Sequence, residues 1–217
     1  MDFELARFNM VEQQIRPWEV LDPDVLGLLF DVKRENFVPA AHAALAFADM
    51  EIPLGHGEAM MQPKVEARIL QELALKPGDS VYEVGSGSGY LTALLARRAK
   101  HVTSVEIHPD LHAMAAANLS RAAIDNVQLL QADGARRPLT EAMYDVIVLT
   151  GSTPVLPEAF LEQLNPLGRL FAVIGEPPVM KAVLVTRGAG GAIYRTEIFE
   201  TLLKPLVNAL APARFRF

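Results

Sequence analysis

The sequence predicts an α/β protein with a doubly wound, mostly parallel sheet of seven strands and an N-terminal helical lid. Two observations lead to this prediction. Between 80 and 199, short β-branched runs alternate with helical patterns, the order expected of a parallel sheet with helices on both faces. Within that region, the run 146–149 is apolar at every position, as a strand buried on both faces should be.

The strands are read from short runs of β-branched and apolar residues. The last two runs are separated by Arg-Gly-Ala-Gly-Gly at 187–191, a link too short for a crossover helix. This link therefore predicts an antiparallel hairpin at the edge of the sheet. In chain order, the predicted strands are 81–84, 102–105, 127–130, 146–149, 170–174, 183–186 and 193–199.

Helical periodicity fills the intervals between several of these strands. Leu91, Leu94 and Leu95 share one face of a helix predicted over 90–99. The two further helices of this region are predicted over 111–119 and 156–164, the second ended by Asn-Pro-Leu-Gly at 165–168.

The first sixty residues differ in character from the sheet region. Asp22 and Pro23 are typical of a helix N-cap and first position, which predicts a helix over 22–30. The segment 52–58 is rich in Gly and Pro, so we expect no regular structure there. Pro63 begins a helix with an apolar face. We divide the chain into a helical lid segment, 1–62, and a core, 63–217, that together form one compact unit.

Composition excludes several classes of protein. The chain has 217 residues, 51% of them hydrophobic, which is enough apolar material for a core and excludes an intrinsically disordered chain. The formal net charge is −6 and no run of Lys or Arg exceeds a pair, so we expect no nucleic-acid partner.

The residue types also limit the chemistry. With no cysteine, disulfides, thiol nucleophiles and cysteine zinc sites are excluded, and we expect no metal. No apolar run approaches the ~18 residues of a membrane span. The N-terminal residues lack the basic start and apolar stretch of a secretory signal. We therefore expect a cytoplasmic protein without a membrane partner.

The turn after the first strand of the sheet carries the strongest functional signal. It reads Glu-Val-Gly-Ser-Gly-Ser-Gly-Tyr over 83–90. Glycines permit a tight turn and let backbone N–H groups approach a ligand. A dinucleotide fingerprint needs Gly or Ala where this chain has Tyr90. Glycines at every second residue after Glu83 instead favour a nucleoside that bears an amino acid, the alternative being a turn that binds nothing.

Two further strand ends point to the same crevice. Glu106 ends the second strand of the sheet, 21 residues after Gly85, where an acid accepts hydrogen bonds from ribose hydroxyls in doubly wound nucleoside sites. Asp133 and Gly134 follow the third strand. An aspartate there can accept from an adenine amino group, and the alternative is an Asx turn.

With these residues the chain resembles the class I S-adenosylmethionine-dependent methyltransferases and, within them, the protein-L-isoaspartate O-methyltransferase family. The general motifs are 83–89, Glu106, 133–134, 144–148 and 165–170, and the family-level likeness lies in 10–16, 37–39, 52–57, 62–63 and 75–79. The resemblance implies a Rossmann-like methyltransferase fold and S-adenosyl-L-methionine as cofactor. It also implies methyl transfer to the carboxylate of an isoaspartyl residue in damaged protein. The cofactor-binding residues it implies are Glu83, Gly85, Ser86, Gly87, Gly89, Glu106, Ile107, Asp133 and Gly134.

One position departs from the family pattern. Members usually carry Ser, a hydroxyl thought to help orient the substrate carboxylate, where this chain has Met61, just before Gln62-Pro63. A thioether cannot donate a hydrogen bond to an anion. Besides isoaspartyl transfer, two alternatives are therefore open: a relative that methylates a different small-molecule acceptor, and a non-catalytic S-adenosylmethionine-binding protein. A nicotinamide-dependent oxidoreductase is a third alternative, against which Tyr90 argues.

The chemistry of the acceptor decides whether a general base is needed. A carboxylate is already ionised near pH 7, so its methylation rests on alignment of the reacting atoms. An alcohol or phenol acceptor would need a base, and His56, between two glycines of the lid segment, is the first candidate. The alternative is that His56 only fills a turn.

Overall fold

The computed structural model describes residues 2–212, and a β-hairpin and a central sheet contain the strands of this part of the chain. Apolar runs become strands where alternate side chains reach a core on one or both faces. The strands are β1 (Ile52–Gly55), β2 (Glu58–Met60), β3 (Ser80–Val84), β4 (His101–Glu106), β5 (Val127–Gln131), β6 (Tyr144–Thr153), β7 (Leu164–Glu176), β8 (Val179–Arg187) and β9 (Ile193–Glu200).

The central sheet has seven strands in the order β5-β4-β3-β6-β7-β8-β9. The first five in this order are parallel, while β8 pairs antiparallel with both β7 and β9. The predicted mostly parallel sheet and its edge hairpin are thus confirmed. The order reverses direction between β3 and β6, and in open α/β sheets ligands bind at the carboxyl ends of strands beside such a point.

Six α-helices are described, and capping follows the sequence signals. The carboxylate of Asp22 accepts hydrogen bonds from the backbone N–H groups of Asp24 and Val25, which confirms the predicted N-cap. The helices are α1 (Phe3–Met10), α2 (Pro23–Asp31), α3 (Pro63–Leu73), α4 (Tyr90–Arg98), α5 (Pro109–Arg121) and α6 (Glu158–Glu162).

Two local predictions were wrong. The segment 52–58, expected to be irregular, forms most of the hairpin β1–β2 because its glycines supply the turn: Gly55, His56 and Gly57 all have positive φ. The helix expected over 156–164 ends at Glu162, and Leu164 instead begins β7, where it pairs with Tyr144. A buried leucine fits either element, so apolar periodicity alone did not separate them.

The core lies on both faces of the sheet. Along β6, Val146 and Val148 belong to one apolar cluster, while Ile147 and Leu149 belong to the other. The predicted burial of 146–149 on both faces is therefore confirmed. The first cluster also contains residues of the lid segment. The boundary between lid segment and core stays a prediction, and the last five residues of the predicted core, 213–217, lie outside the described residues.

Candidate active site

A cavity of about 1010 Å³, including its opening to solvent, lies at the carboxyl ends of β3, β4 and β5. Its floor is the turn after β3 and the residues that follow β4 and β5. The hairpin β1–β2 and the segment 203–207, which follows β9, form part of its wall. The three strand ends singled out from the sequence thus meet in one place, at the position where doubly wound sheets bind ligands.

Glycines shape the turn below this cavity for two different reasons. Gly85 has a φ of 97°, and a Cβ at this position would collide with the Thr150 hydroxyl oxygen. Gly89 has a φ of 82° and would place a Cβ 3.2 Å from the Ala115 Cα, so it permits close packing of α4 on α5. Gly85, Ser86 and Gly87 line the cavity, whereas Gly89 is not among the lining residues.

Glu106 connects the end of β4 to this turn. Its Oε2 accepts a hydrogen bond from the Gly87 backbone N–H at 2.9 Å, and its Oε1 accepts from the His108 N–H at 3.0 Å. The carboxylate is fixed at both oxygens and still faces the cavity. Ile107 lines the same wall.

Asp133 forms the Asx turn that was one of the two interpretations made from the sequence, and the contact with adenine stays a prediction. Its Oδ1 accepts from the Ala135 N–H at 3.0 Å, the hydrogen bond of an Asx turn. The residue nevertheless lines the cavity together with Gly134. Its Oδ2 accepts from the Asn208 side-chain amide at 2.8 Å, a partner that the sequence did not indicate.

Glu83 is a predicted cofactor residue whose side chain points away from the cavity. Its side chain is fully buried, and Oε2 accepts hydrogen bonds from the hydroxyls of Thr92 and Ser104, each at 2.5 Å. Burial raises the pKa of Glu83 to about 7, against the effect of these two hydroxyls. Val84, the next residue of β3, lines the cavity instead, because successive side chains of a strand point in opposite directions.

Several buried polar atoms at the cavity have no hydrogen-bond partner among the described residues. They include the hydroxyl oxygen of Ser86 and the Nε2 atom of His108, and both residues line the cavity. Buried polar groups are normally satisfied. Unpartnered groups that line a cavity therefore mark a place for a polar ligand.

Met60 and Met61 form an apolar wall of the cavity and are 4% and 6% exposed. The backbone oxygen of Met61 accepts a hydrogen bond from the guanidinium of Arg34 at 2.7 Å. Arg34 also forms a buried ion pair with Glu66. Burial raises the pKa of Glu66 to about 7, and the opposing effect of Arg34 is smaller. The loop that carries Met61 is thus held from beneath by a buried charge pair.

His56 lies at the rim and is not among the residues that line the cavity. Its Nε2 is 2.8 Å from an Asp110 carboxylate oxygen, and its ring stacks on that of His108 with centroids 4.2 Å apart. This contact with His56 lowers the pKa of the Asp110 carboxyl. The φ of 54° at His56 belongs to the hairpin turn between β1 and β2.

The segment 203–209, which we call the strap, is the part of the site that sequence reasoning missed. Ser152 anchors it: its N–H donates to the Lys204 carbonyl at 2.9 Å, its carbonyl accepts from the Leu206 N–H at 2.9 Å, and its hydroxyl donates to the Leu203 carbonyl at 2.7 Å. The strap has no periodicity and gives no motif, so no local signal indicated that it returns to the sheet.

The side chains and helices of residues 2–212 also bear on two other kinds of site. No group of three or more His, Asp or Glu side chains in this part of the chain is arranged to hold a metal ion. Within the same residues, none of the helices has the length and apolar character needed to span a bilayer.

The chain is similar to proteins of one family over most of its length. Residues 6–211 match the family model described as protein-L-isoaspartate(D-aspartate) O-methyltransferase. A protein-L-isoaspartate O-methyltransferase of Koribacter versatilis is 33% identical over 214 residues, which are 98% of this chain and 96% of the relative. The corresponding protein of Methylorubrum extorquens is 38% identical over 208 residues, 96% of this chain and 91% of that one.

A solved structure agrees with this at the level of the fold. A Plasmodium falciparum structure, described as a protein-L-isoaspartate O-methyltransferase in complex with S-adenosyl-L-homocysteine, has a TM-score of 0.80 and 23% identity to this chain. The match covers 95% of this chain and 99% of that one. By its family model and its relatives, the chain belongs to the protein-L-isoaspartate O-methyltransferase family.

Proposed function

We propose that the protein transfers a methyl group from S-adenosyl-L-methionine to the free carboxylate of an isoaspartyl residue in a peptide or protein. The observation that carries this proposal is the meeting of three strand ends in one cavity, in a chain whose relatives are named for this activity. The same activity was predicted from the resemblance of the sequence motifs.

The residues at the cavity fit the proposed cofactor. Glu106 presents a fixed carboxylate suited to ribose hydroxyls, and Asp133 presents one suited to an adenine amino group. The unpartnered Ser86 hydroxyl adds a polar group at the turn. When bound, S-adenosyl-L-methionine supplies a methyl group on a positively charged sulfur. A positive charge is favoured here because the carboxylates of Glu51, Glu106 and Asp133 line the cavity, besides those of Glu58 and Glu66, which are paired with Lys204 and Arg34.

Glu83 and Gly89, which the resemblance also assigns to the cofactor, support the site from beneath in this proposal. Glu83 joins β3, β4 and α4 through Ser104 and Thr92, and Gly89 lets α4 begin close to α5. Both positions set the shape of the turn, whose backbone faces the ligand. Their substitution is expected to act through that shape.

The protein's contribution to the reaction is alignment and exclusion of water. A carboxylate acceptor is ionised near neutral pH, so no side chain needs to remove a proton. Holding two reactants in line supplies on the order of 7–11 kcal/mol. Leu54, Met60, Met61 and Leu206 give the cavity an apolar wall that keeps water from the reacting charges.

The proposal is tested by methyl transfer to a defined peptide. The protein is incubated with S-adenosyl-L-methionine carrying a labelled methyl group and with an isoaspartyl peptide, the matched control being the same peptide with a normal aspartyl residue. We expect base-labile label on the first peptide only. Calorimetric binding of the cofactor without label on the peptide would overturn the proposed acceptor, and no binding of the cofactor would overturn the whole proposal.

Met61 favours a second candidate, a methyltransferase for a different small-molecule acceptor. A buried thioether stands where family members usually place a hydroxyl, and it extends an apolar wall. This candidate predicts that the isoaspartyl peptide stays unlabelled while fractionated small metabolites accept label. Cofactor binding with no transfer to any fraction of a cell extract would indicate a binding protein without catalysis.

The variant Met61→Ser separates the two candidates. If the acceptor is not isoaspartyl peptide, the restored hydroxyl is expected to create activity on that peptide that the wild type lacks. If the wild type already methylates the peptide, Met61→Ser is expected to change the rate by less than about tenfold. Met60→Ser removes a neighbouring buried methionine at a similar cost in stability, and no gain of activity is expected for it.

A further inference from the structure

The strap places one cationic side chain at the cavity. Lys204 lines the cavity and belongs to the stretch that Ser152 holds against the end of β6. Its side chain is 44% exposed, so the ammonium group lies at the opening and not in the core. The backbone on either side of Lys204 is fixed by three hydrogen bonds, which limits where the side chain can reach.

The ammonium group of Lys204 is positioned by the hairpin β1–β2. Its Nζ donates a hydrogen bond to Glu58 Oε1 at 2.5 Å and lies 3.4 Å from the His56 carbonyl oxygen. A lysine ammonium has three N–H donors. Two are directed at these oxygens, which leaves one donor for a group that enters the cavity.

The charge around the cavity makes this lysine unusual. Among the described residues that line the cavity, five carry carboxylates and Lys204 is the one lysine or arginine. Glu58 is paired with Lys204 and Glu66 with Arg34. The carboxylates of the other three, Glu51, Glu106 and Asp133, suit a cationic cofactor but repel an anionic acceptor. An acceptor carboxylate would therefore be favoured at the part of the cavity nearest Lys204.

The wall of the cavity at Met61 offers nothing that would bind the carboxylate of an acceptor. A thioether and its neighbour Met60 offer no hydrogen-bond donor to an anion. Arg34 donates to the Met61 carbonyl but is buried beneath the loop, paired with Glu66, and is not among the lining residues. The acceptor carboxylate thus needs a hydrogen-bond donor other than the side chains of Met60 and Met61.

We propose that Lys204 of the strap binds the carboxylate of the acceptor and so determines the protein's preference for an acidic acceptor. This inference rests on the proposed function. Lys204 then takes the role of the hydroxyl that Met61 lacks. It acts on binding of the acceptor and not on the cofactor, because the cofactor contacts proposed above come from the ends of β3, β4 and β5.

The test compares wild type, Lys204→Gln and Lys204→Arg with an isoaspartyl peptide and with the matching peptide whose free carboxylate is replaced by a carboxamide. We expect the wild type to bind the carboxylate peptide at least about tenfold more tightly than the carboxamide. The KM of the carboxylate peptide is compared with the inhibition constant of the carboxamide. Lys204→Gln is expected to raise KM about tenfold, with kcat within about twofold, and to abolish the preference. Lys204→Arg is expected to keep most of it.

Lys181→Gln is the matched control, since Lys181 also forms an exposed pair with a glutamate, Glu197, but does not line the cavity. Melting temperature and affinity for S-adenosyl-L-homocysteine are expected to be unchanged in all three variants. An unchanged KM and preference in Lys204→Gln would overturn the role of Lys204 and leave the proposed function standing. A wild type that binds S-adenosyl-L-homocysteine but neither peptide would overturn the proposed acceptor, and with it this inference.

Discussion

Glu106 is the residue that joins two of the strand ends at the cavity. Its carboxylate accepts from the backbone N–H groups of Gly87 and His108 and is 5% exposed. The two hydrogen bonds hold it in one orientation before any ligand enters, so little ordering remains to be done on binding.

We expect Glu106→Gln to weaken binding of S-adenosyl-L-homocysteine by about 10–100-fold, since hydrogen bonds to a charged group are stronger than those to a neutral amide. Isothermal titration calorimetry measures this directly. Glu141→Gln changes an exposed glutamate outside the cavity and is expected to keep the wild-type affinity. Equal affinities in Glu106→Gln and the wild type would show that the carboxylate is not a cofactor contact.

Glu83 and Glu106 show what a sequence pattern can and cannot tell about single residues. Both acids lie at or near the end of a buried strand, and both were assigned to the cofactor. Only Glu106 reaches the cavity. Glu83 pairs with Ser104, so Glu106 points to the same face of the sheet but lies two residues further toward the carboxyl end, where the cavity is. The strand ends were predictable, but which acid lies beyond the last paired residues of β3 and β4 depends on the register of these two strands.

The strap is an element that depends on contacts distant in sequence. Its backbone pairs with Ser152 at the end of β6, and Asn208 donates to Asp133. The hydroxyl of Ser152 is fully buried and donates to the Leu203 carbonyl at 2.7 Å. The strap is therefore attached at both sides of the cavity, to the turn after β5 and to the end of β6.

Ser152→Ala is expected to loosen the strap. Loss of a hydrogen bond worth about 1 kcal/mol allows the strap to open about fivefold more often. Hydrogen exchange at the Leu206 amide, which donates to the Ser152 carbonyl, reports this opening. Thr153→Val removes a neighbouring buried hydroxyl that donates to Val155, so exchange at Leu206 is expected to stay within twofold. Unchanged exchange in Ser152→Ala would mean that this hydroxyl does not hold the strap.

The same distinction between local and distant contacts explains which elements were predictable. The seven strands and helices α2 to α5 follow from short apolar runs, helical spacing and caps such as Asp22, all of which act within a few residues. The hairpin β1–β2 was missed because Gly and Pro at 52–58 indicate turns regardless of pairing. The strap was missed because its partners are Ser152, Asp133 and Glu58, which no local pattern connects to it.

Two buried acids, Glu66 at the cavity and Glu83 beneath it, link the stability of the protein to pH. Glu66 pairs with Arg34, and Glu83 is bound by two hydroxyls. Burial raises the pKa of each to about 7, from an ordinary value of 4.5. Burial disfavours the charged form of each acid in the folded protein. The free energy of unfolding therefore falls at any pH at which the acid is ionised in the unfolded chain. These two sites are thus expected to make the free energy of unfolding larger in mild acid than at pH 8.

Glu83→Gln tests this link for one site. Below about pH 4.5 Glu83 is protonated in both states and its contribution is fully present. As pH rises to about 7 the unfolded chain has already released the proton, so the free energy of unfolding falls by on the order of 3 kcal/mol. Glutamine has no such titration. Urea unfolding at pH 5 and pH 8 is therefore expected to show a smaller fall for Glu83→Gln than for the wild type or the exposed control Glu141→Gln, while Glu66 contributes to all three. Parallel falls in all three proteins would contradict the raised pKa of Glu83.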